Sequence, residues 1–204
     1  MMPMPKQMHK SNAITKEQLL SAVYRHPLLT EMDLEEICRA HEKTAFKKNS
    51  FLLKNGETAN EYFIVESGLM RSFVTDTEGH DITTNFFGEG EIVIEVSSLF
   101  QRIPTRENIQ ALTNCICWKI DYDAFQQLYH SIKGFSEWGR SWMAGELFRF
   151  KQRSMEMIAE SATARYLKLI KEKPHVIQQA PLKHIATYLG VTDTSLSRIR
   201  KEMI

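Results

Sequence analysis

Cysteine is scarce in these 204 residues: Cys38, Cys115 and Cys117 are all there are, and three thiols make no even disulfide framework. Cys115 and Cys117, two apart on a strand-like run, share one face, and no His/Cys cluster matches them as structural zinc would require. Reduced, partly buried thiols are expected, as in a cytoplasmic protein. Long hydrophobic runs are also missing. None approaches the ~20 residues of a membrane span, so no membrane partner is expected. Residues 1–10 carry lysines but no apolar h-region, which predicts a loose end rather than a signal peptide. There is no GxSxG, no HExxH, no P-loop and no coherent metal-ligand cluster, and the seven histidines are scattered. Neither an enzyme nor a metal site is expected. A strong charge of one sign is lacking too, since the net charge is +1.

The charge that exists is unevenly placed. Residues 161–204 hold eight Lys/Arg against three Asp/Glu, a net of +5, which leaves the preceding residues at −4. A basic end on a mildly acidic body fits a phosphate-binding module, and equally a solvated basic face.

Three stretches of pattern follow one another. Residues 15–43 read as short helices. Thr15, with Gln18 three residues on, has the spacing of a capping box. Leu19, Leu20 and Val23 recur at helical spacing, and Glu31 to Ala40 forms a second segment beyond Pro27. From 45 to 120, strand-like runs at 50–54, 62–67, 69–75, 82–87, 91–96 and 108–120 are punctuated by turns such as Asn55-Gly56 and Ser67-Gly68. This predicts an antiparallel sandwich, jelly roll or barrel. Residues 121–173 turn helical again. Asp121 or Asp123 can cap a helix carrying Phe125 and Leu128, and a longer helix follows. That helix is apolar on two sides, with Trp138 and Trp142 near one face and Met143, Leu147 and Phe150 near another. One face is expected on the β domain and the other on a second subunit, with Phe135, Trp138, Trp142 and Gly145 as the candidate dimer interface. A helix buried within a monomer is the competing reading. Ser161 or Thr163 starts the next helix, Pro174 stops it, and residues 175–181 read as a connector.

The run from Leu182, LKHIATYLGVTDTSLSRIR, follows the helix-turn-helix pattern. Ala186 is the small fifth residue that lets two helices cross closely, and Gly190 is the ninth, where the chain turns with positive φ. Ile185, Leu189, Val191, Leu196 and Ile199 fill the apolar positions. At ~100° per residue, Leu196, Ile199 and Met203 face inward and Thr194, Arg198 and Lys201 face outward. Thr192 is the expected N-cap. The candidate DNA-binding residues are Thr192, Asp193, Thr194, Ser195, Ser197, Arg198, Arg200 and Lys201. Arg198 suits guanine O6 and N7, while Arg200 and Lys201 suit phosphates.

A β domain, a long helix and a terminal helix-turn-helix, in that order, resemble the CRP/FNR family of transcription regulators. The resemblance rests on Gly56-Glu57-Thr58-Ala59, on Tyr62 to Gly68, on Phe86 to Glu91 and on the LGVTDTSLSRIR run. It implies an α+β chain. An N-terminal antiparallel, jelly-roll-like β-roll sensor would span 12–130, a dimerisation helix 131–159 and a winged helix-turn-helix 160–204. It also implies a homodimer on double-stranded DNA, working with RNA polymerase. The family's ribose-holding Gly-Glu falls on Ile94-Glu95 and its phosphate-holding Arg-Ser on Arg106-Glu107. Phe87, Glu95 and Arg106 are therefore the candidate effector pocket. Glu107 would stand where the cyclic phosphate sits, and like charges at ~4 Å and an effective dielectric of ~20 cost about 4 kcal/mol. Cyclic AMP is disfavoured, and another small-molecule effector or an internal Glu95–Arg106 salt bridge are open alternatives. The family's DNA-reading positions fall on Asp193, Thr194 and Arg198, of which only Arg198 keeps the residue of the best-known cyclic AMP member. The competing function is a cyclic-nucleotide-binding-like module that regulates a protein partner.

Overall fold

The computed structural model describes residues 14–203. The expectations for residues 1–10, and the first two residues of the 12–130 domain, lie outside them. Two capped helices come first among the described residues. In α1 (Lys16–Val23) Thr15 and Gln18 form the expected capping box, and in α2 (Glu31–Ala40) Thr30 and Asp33 form another. Eight strands follow: β1 (Glu42–Phe46), β2 (Phe51–Leu53), β3 (Glu61–Ser67), β4 (Met70–Thr75), β5 (Asp81–Phe87), β6 (Ile92–Val93), β7 (Asn108–Ala111) and β8 (Cys115–Asp121). They form two antiparallel sheets of order β1-β8-β3-β6 and β2-β7-β4-β5.

Two expected runs are broken. The 91–96 run ends early because the Glu95 carboxylate caps α3 (Val96–Gln101), accepting from the Ser98 amide at 2.5 Å and the Ser97 hydroxyl at 2.6 Å. The 108–120 run divides because the chain changes sheets between β7 and β8. At the crossing the Leu112 amide donates to the Leu69 carbonyl, and the Leu69 amide to the Thr113 hydroxyl. Gly68 (φ +101°) lies so close that a Cβ there would sit 2.6 Å from the Asn114 carbonyl oxygen and the Cys115 sulfur. Only glycine fits both the backbone and the space.

The C-terminal half is helical: α4 (Tyr122–Ser131), α5 (Lys133–Ala159), α6 (Ala162–Glu172), α7 (Pro174–Gln179), α8 (Leu182–Tyr188) and α9 (Asp193–Glu202). Asp121 caps α4 and Ser161 caps α6. The expected connector 175–181 is mostly helix, because Pro174, which ends α6, occupies the first turn of α7, where its missing N–H costs nothing. Among the described residues no strand follows Asp121, so the expected wing is not there.

Two cores share one sheet. The first joins both sheets to α1, α2, α4 and the start of α5. The second gathers α6–α9 around Leu69, Phe86 and Leu112. Neighbouring residues thus part company, with Met70, Phe87 and Ala111 in the first core and Leu69, Phe86 and Leu112 in the second. The first core also claims two residues expected at a dimer interface. Phe135 is fully buried, and Trp138 donates its indole N–H to the Val23 carbonyl at 2.9 Å and packs on Tyr24. Trp142, half-buried, stacks on Trp138, and Gly145 is half-buried as well. The face of α5 left open is the other one: Met143, Leu147, Phe150 and Ile158 are 40%, 65%, 74% and 86% exposed.

Candidate nucleic-acid interface and effector cavity

Helices α8 and α9 form a helical pair around a tight turn. Gly190 makes the turn at φ +68°, and a Cβ there would meet the Met157 methyl of α5 at 2.5 Å. Gly190→Ala is expected to destabilise the chain by roughly 1–3 kcal/mol, read as a lowered melting temperature. Thr192 caps α9, its hydroxyl accepting from the Ser195 amide at 3.2 Å. Leu196 and Ile199 are buried as expected; Met203, expected inward, is the C-cap one turn further on and is exposed. The structure brings Thr192, Asp193, Thr194, Arg198, Arg200 and Lys201 to solvent on one helix, with Ser195 and Ser197 half-buried. The Thr192 hydroxyl lies 2.9 Å from that of Thr194 and 3.0 Å from that of Ser195, so these short side chains are partly engaged in the cap. Among the described residues Arg198 pairs with the exposed Glu202 at 3.9 Å, a contact worth little in water.

The polar groups that seat this pair on the β domain leave no pattern in the sequence. Arg71 of β4, buried, donates to Nδ1 of His184 on α8 at 2.8 Å, to Asp81 at 2.9 Å and to Gln110 at 3.1 Å. The Thr83 amide donates to the Thr187 hydroxyl at 3.2 Å. Arg153 of α5 donates to the carbonyls of Thr84 on β5 and Tyr188 at the end of α8, and lies 3.9 Å over the Tyr188 ring. A buried arginine paired with a histidine 113 positions away leaves no periodic trace.

The expected effector residues do not converge. Glu95 lines a cavity of about 450 Å³ with Leu52, Leu53, Glu57, Glu61, Phe63 and Ile94. Phe87 is buried in the first core and Arg106 is exposed, and neither lines it. The Glu95–Arg106 salt bridge does not form, since both Glu95 oxygens serve the start of α3. Glu107 is half-buried beside Thr84, Glu95 and Arg153, and burial pushes its carboxyl above the usual range. Three carboxylates and no Lys or Arg line the cavity, while Arg102 and Lys119 stand behind it on Asn60 and Glu61. Among the described residues no cluster could hold a metal, and no helix is long and apolar enough to cross a membrane.

Two histidines stand out. His41 accepts from the Tyr24 hydroxyl at Nε2 (2.8 Å), and Nδ1–H donates to the Ile37 carbonyl (2.8 Å). Burial holds it neutral, down to about 4. Burial, and then the Arg71 charge, bring His184 to about 4 as well. Unfolded, both titrate near 6.5. The unfolded chain therefore binds more protons between pH 6.5 and 4, and stability falls as pH drops through that window. Glu107, raised, acts in the opposite sense. Melting temperatures between pH 7 and 4 are expected to decline, with a smaller slope in His184→Asn.

A two-sheet β domain, a long helix and a terminal helical pair, in this order, make a fold that the chain shares with known proteins. Residues 43–131 match the family model of the cyclic nucleotide-binding domain. No curated protein matches the chain by sequence. Among solved structures the chain is similar to FixK2 from Bradyrhizobium japonicum (TM-score 0.69, 17% identity, 80% of this chain and 84% of that one). It is also similar to CLP, described as a c-di-GMP responsive global regulator, from Xanthomonas campestris (TM-score 0.67, 16% identity, 85% and 91%). A third is a protein from Eubacterium rectale described as a transcriptional regulator of the crp/fnr family (TM-score 0.68, 16% identity, 88% and 87%). None of these descriptions is of an enzyme.

Proposed function

We propose that the chain is a DNA-binding transcription regulator of the CRP/FNR type, working in the cytoplasm as a homodimer with RNA polymerase, its β-roll sensing an effector other than cyclic AMP. The observation that carries the reading is the outward face of α9, Thr194, Arg198 and Lys201, on a helical pair held against a cyclic-nucleotide-binding-like domain. Arg198 reads a base and Arg200 and Lys201 hold phosphates. A cavity lined by Glu57, Glu61 and Glu95 and no basic residue is what speaks against a cyclic phosphate. Met143, Leu147, Phe150 and Ile158 fall within about 80° of one another at ~100° per residue, a narrow seam suited to a partner helix.

In a selection from random duplexes, the wild-type chain is expected to recover a two-fold-symmetric site. Arg198→Ala is expected to cost about 1–3 kcal/mol and relax preference at one position per half-site. Lys201→Ala is expected to weaken all sequences alike and lower the salt slope by about 1. Recovery of no preferred sequence would sink the reading.

A further inference from the structure

The sheet β2-β7-β4-β5 carries polar groups on both of its faces, and they sit on adjacent residues. Facing the first core, the hydroxyls of Ser72 and Thr84 lie 2.7 Å apart, with the Glu107 carboxyl beside Thr84. Facing α8, the next residues along the same strands, Arg71 and Thr83, meet His184 and Thr187. Thr84 itself belongs to both sides, because its side chain meets Ser72 while its carbonyl accepts from Arg153, which also holds the last carbonyl of α8. Arg71 is nearly inaccessible, its guanidinium fixed by Asp81, by Gln110 and by the Phe73 ring 3.9 Å away. It donates to Nδ1, so His184 is neutral and carries its proton on Nε2. Lys183 disfavours a second proton on His184 too, and Asp81 acts in the opposite sense.

We propose that Arg71 and Arg153 form a two-point latch that couples the interior of the β-roll to the helix-turn-helix through strands β4 and β5. A change at Ser72, Thr84 or Glu107 moves backbone that directly seats α8, and α8 positions α9. The inference rests on the reading of the β-roll as input and α9 as output. Buried donors and acceptors with fixed partners have few alternative arrangements, so a shift on one face is passed to the other rather than absorbed.

The test is amide hydrogen exchange on the full-length chain, with no DNA present. Arg71→Met and Arg153→Met keep length and remove donors. Each is expected to speed exchange at residues 184–189 by about tenfold or more, while residues 62–65 in β3 are unchanged. Thr84→Val removes only the interior hydroxyl and keeps the carbonyl that Arg153 holds. It is expected to speed exchange in α8 by about threefold. The His184 imidazole, followed by NMR, is expected to titrate higher in Arg71→Met. If Arg71→Met does not fold, Thr187→Val, which removes the hydroxyl that meets the Thr83 amide and hydroxyl and the His184 carbonyl, takes its place. Unchanged α8 exchange in the arginine variants overturns the latch. Unchanged exchange in Thr84→Val, with the arginine variants responding, overturns the coupling. DNA binding by the wild-type chain is measured separately, so failure of the regulator reading is seen there and not in the exchange data.

Discussion

Leu147→Glu with Phe150→Glu is expected to yield a monomer at micromolar concentration and to lower operator affinity by about 10² or more. The two side chains are 65% and 74% exposed on α5, between Met143 and Ile158, and touch neither core. Their replacement therefore leaves the single chain folded. In the proposed dimer, two like carboxylates on each of two facing helices would repel, and the apolar area that would hold the helices together would be gone. A dimer binds its second half-site intramolecularly, at an effective concentration far above that of free protein. Losing this advantage is typically a change of 10² to 10⁴. Sedimentation and operator titration read the two effects. A dimer that persists in the double variant would place the interface elsewhere.

Phe86→Ala is expected to cost about 3–5 kcal/mol in denaturant unfolding. The ring is on β5, yet it is fully buried among α6–α9 and lies 5.1 Å from the ring of Tyr188. Lys173 donates to its carbonyl at 2.8 Å and pairs with Glu91 at 2.7 Å, so the surroundings are tied down and a cavity collapses poorly. The loss should fall on the helical half. Phe87→Ala, one residue away in the first core, should fall on the β half. A cost below about 1 kcal/mol for Phe86→Ala would mean that the helix-turn-helix does not lean on this sheet.

Local chemistry was the legible part of the fold. Thr15 with Gln18, Thr192 before α9, and Gly190 at positive φ were readable because capping and left-handed backbone select residue types at fixed offsets. The helical pair α8–α9 was readable for the same reason, and with it the order of the parts. What depended on a distant partner was not. β1 was missed because Glu42-Lys43-Thr44-Ala45-Phe46 has one strongly apolar residue and gains its place by pairing with β8. The change of sheet at 112–114 leaves an unbroken run of strand-like residues. Pro174 was read as a stop, although at the start of a helix it is equally at home. On α5 the two apolar faces were visible, but their assignment was not. Trp138 and Phe135 are large and rigid, as interface residues often are, and only the position of Tyr24 and Phe125 shows that the chain uses them itself.

The adjacent pairs Leu69/Met70, Phe86/Phe87 and Ala111/Leu112 carry one more consequence. Cutting the chain after the segment that matches the cyclic nucleotide-binding domain, at about residue 131, would not release a finished module. Leu69, Phe86 and Leu112 would lose their cover together and leave a contiguous greasy patch on the fragment. Such a truncation should be sticky and poorly soluble. The boundary that sequence similarity draws runs through a wall that both tenants need.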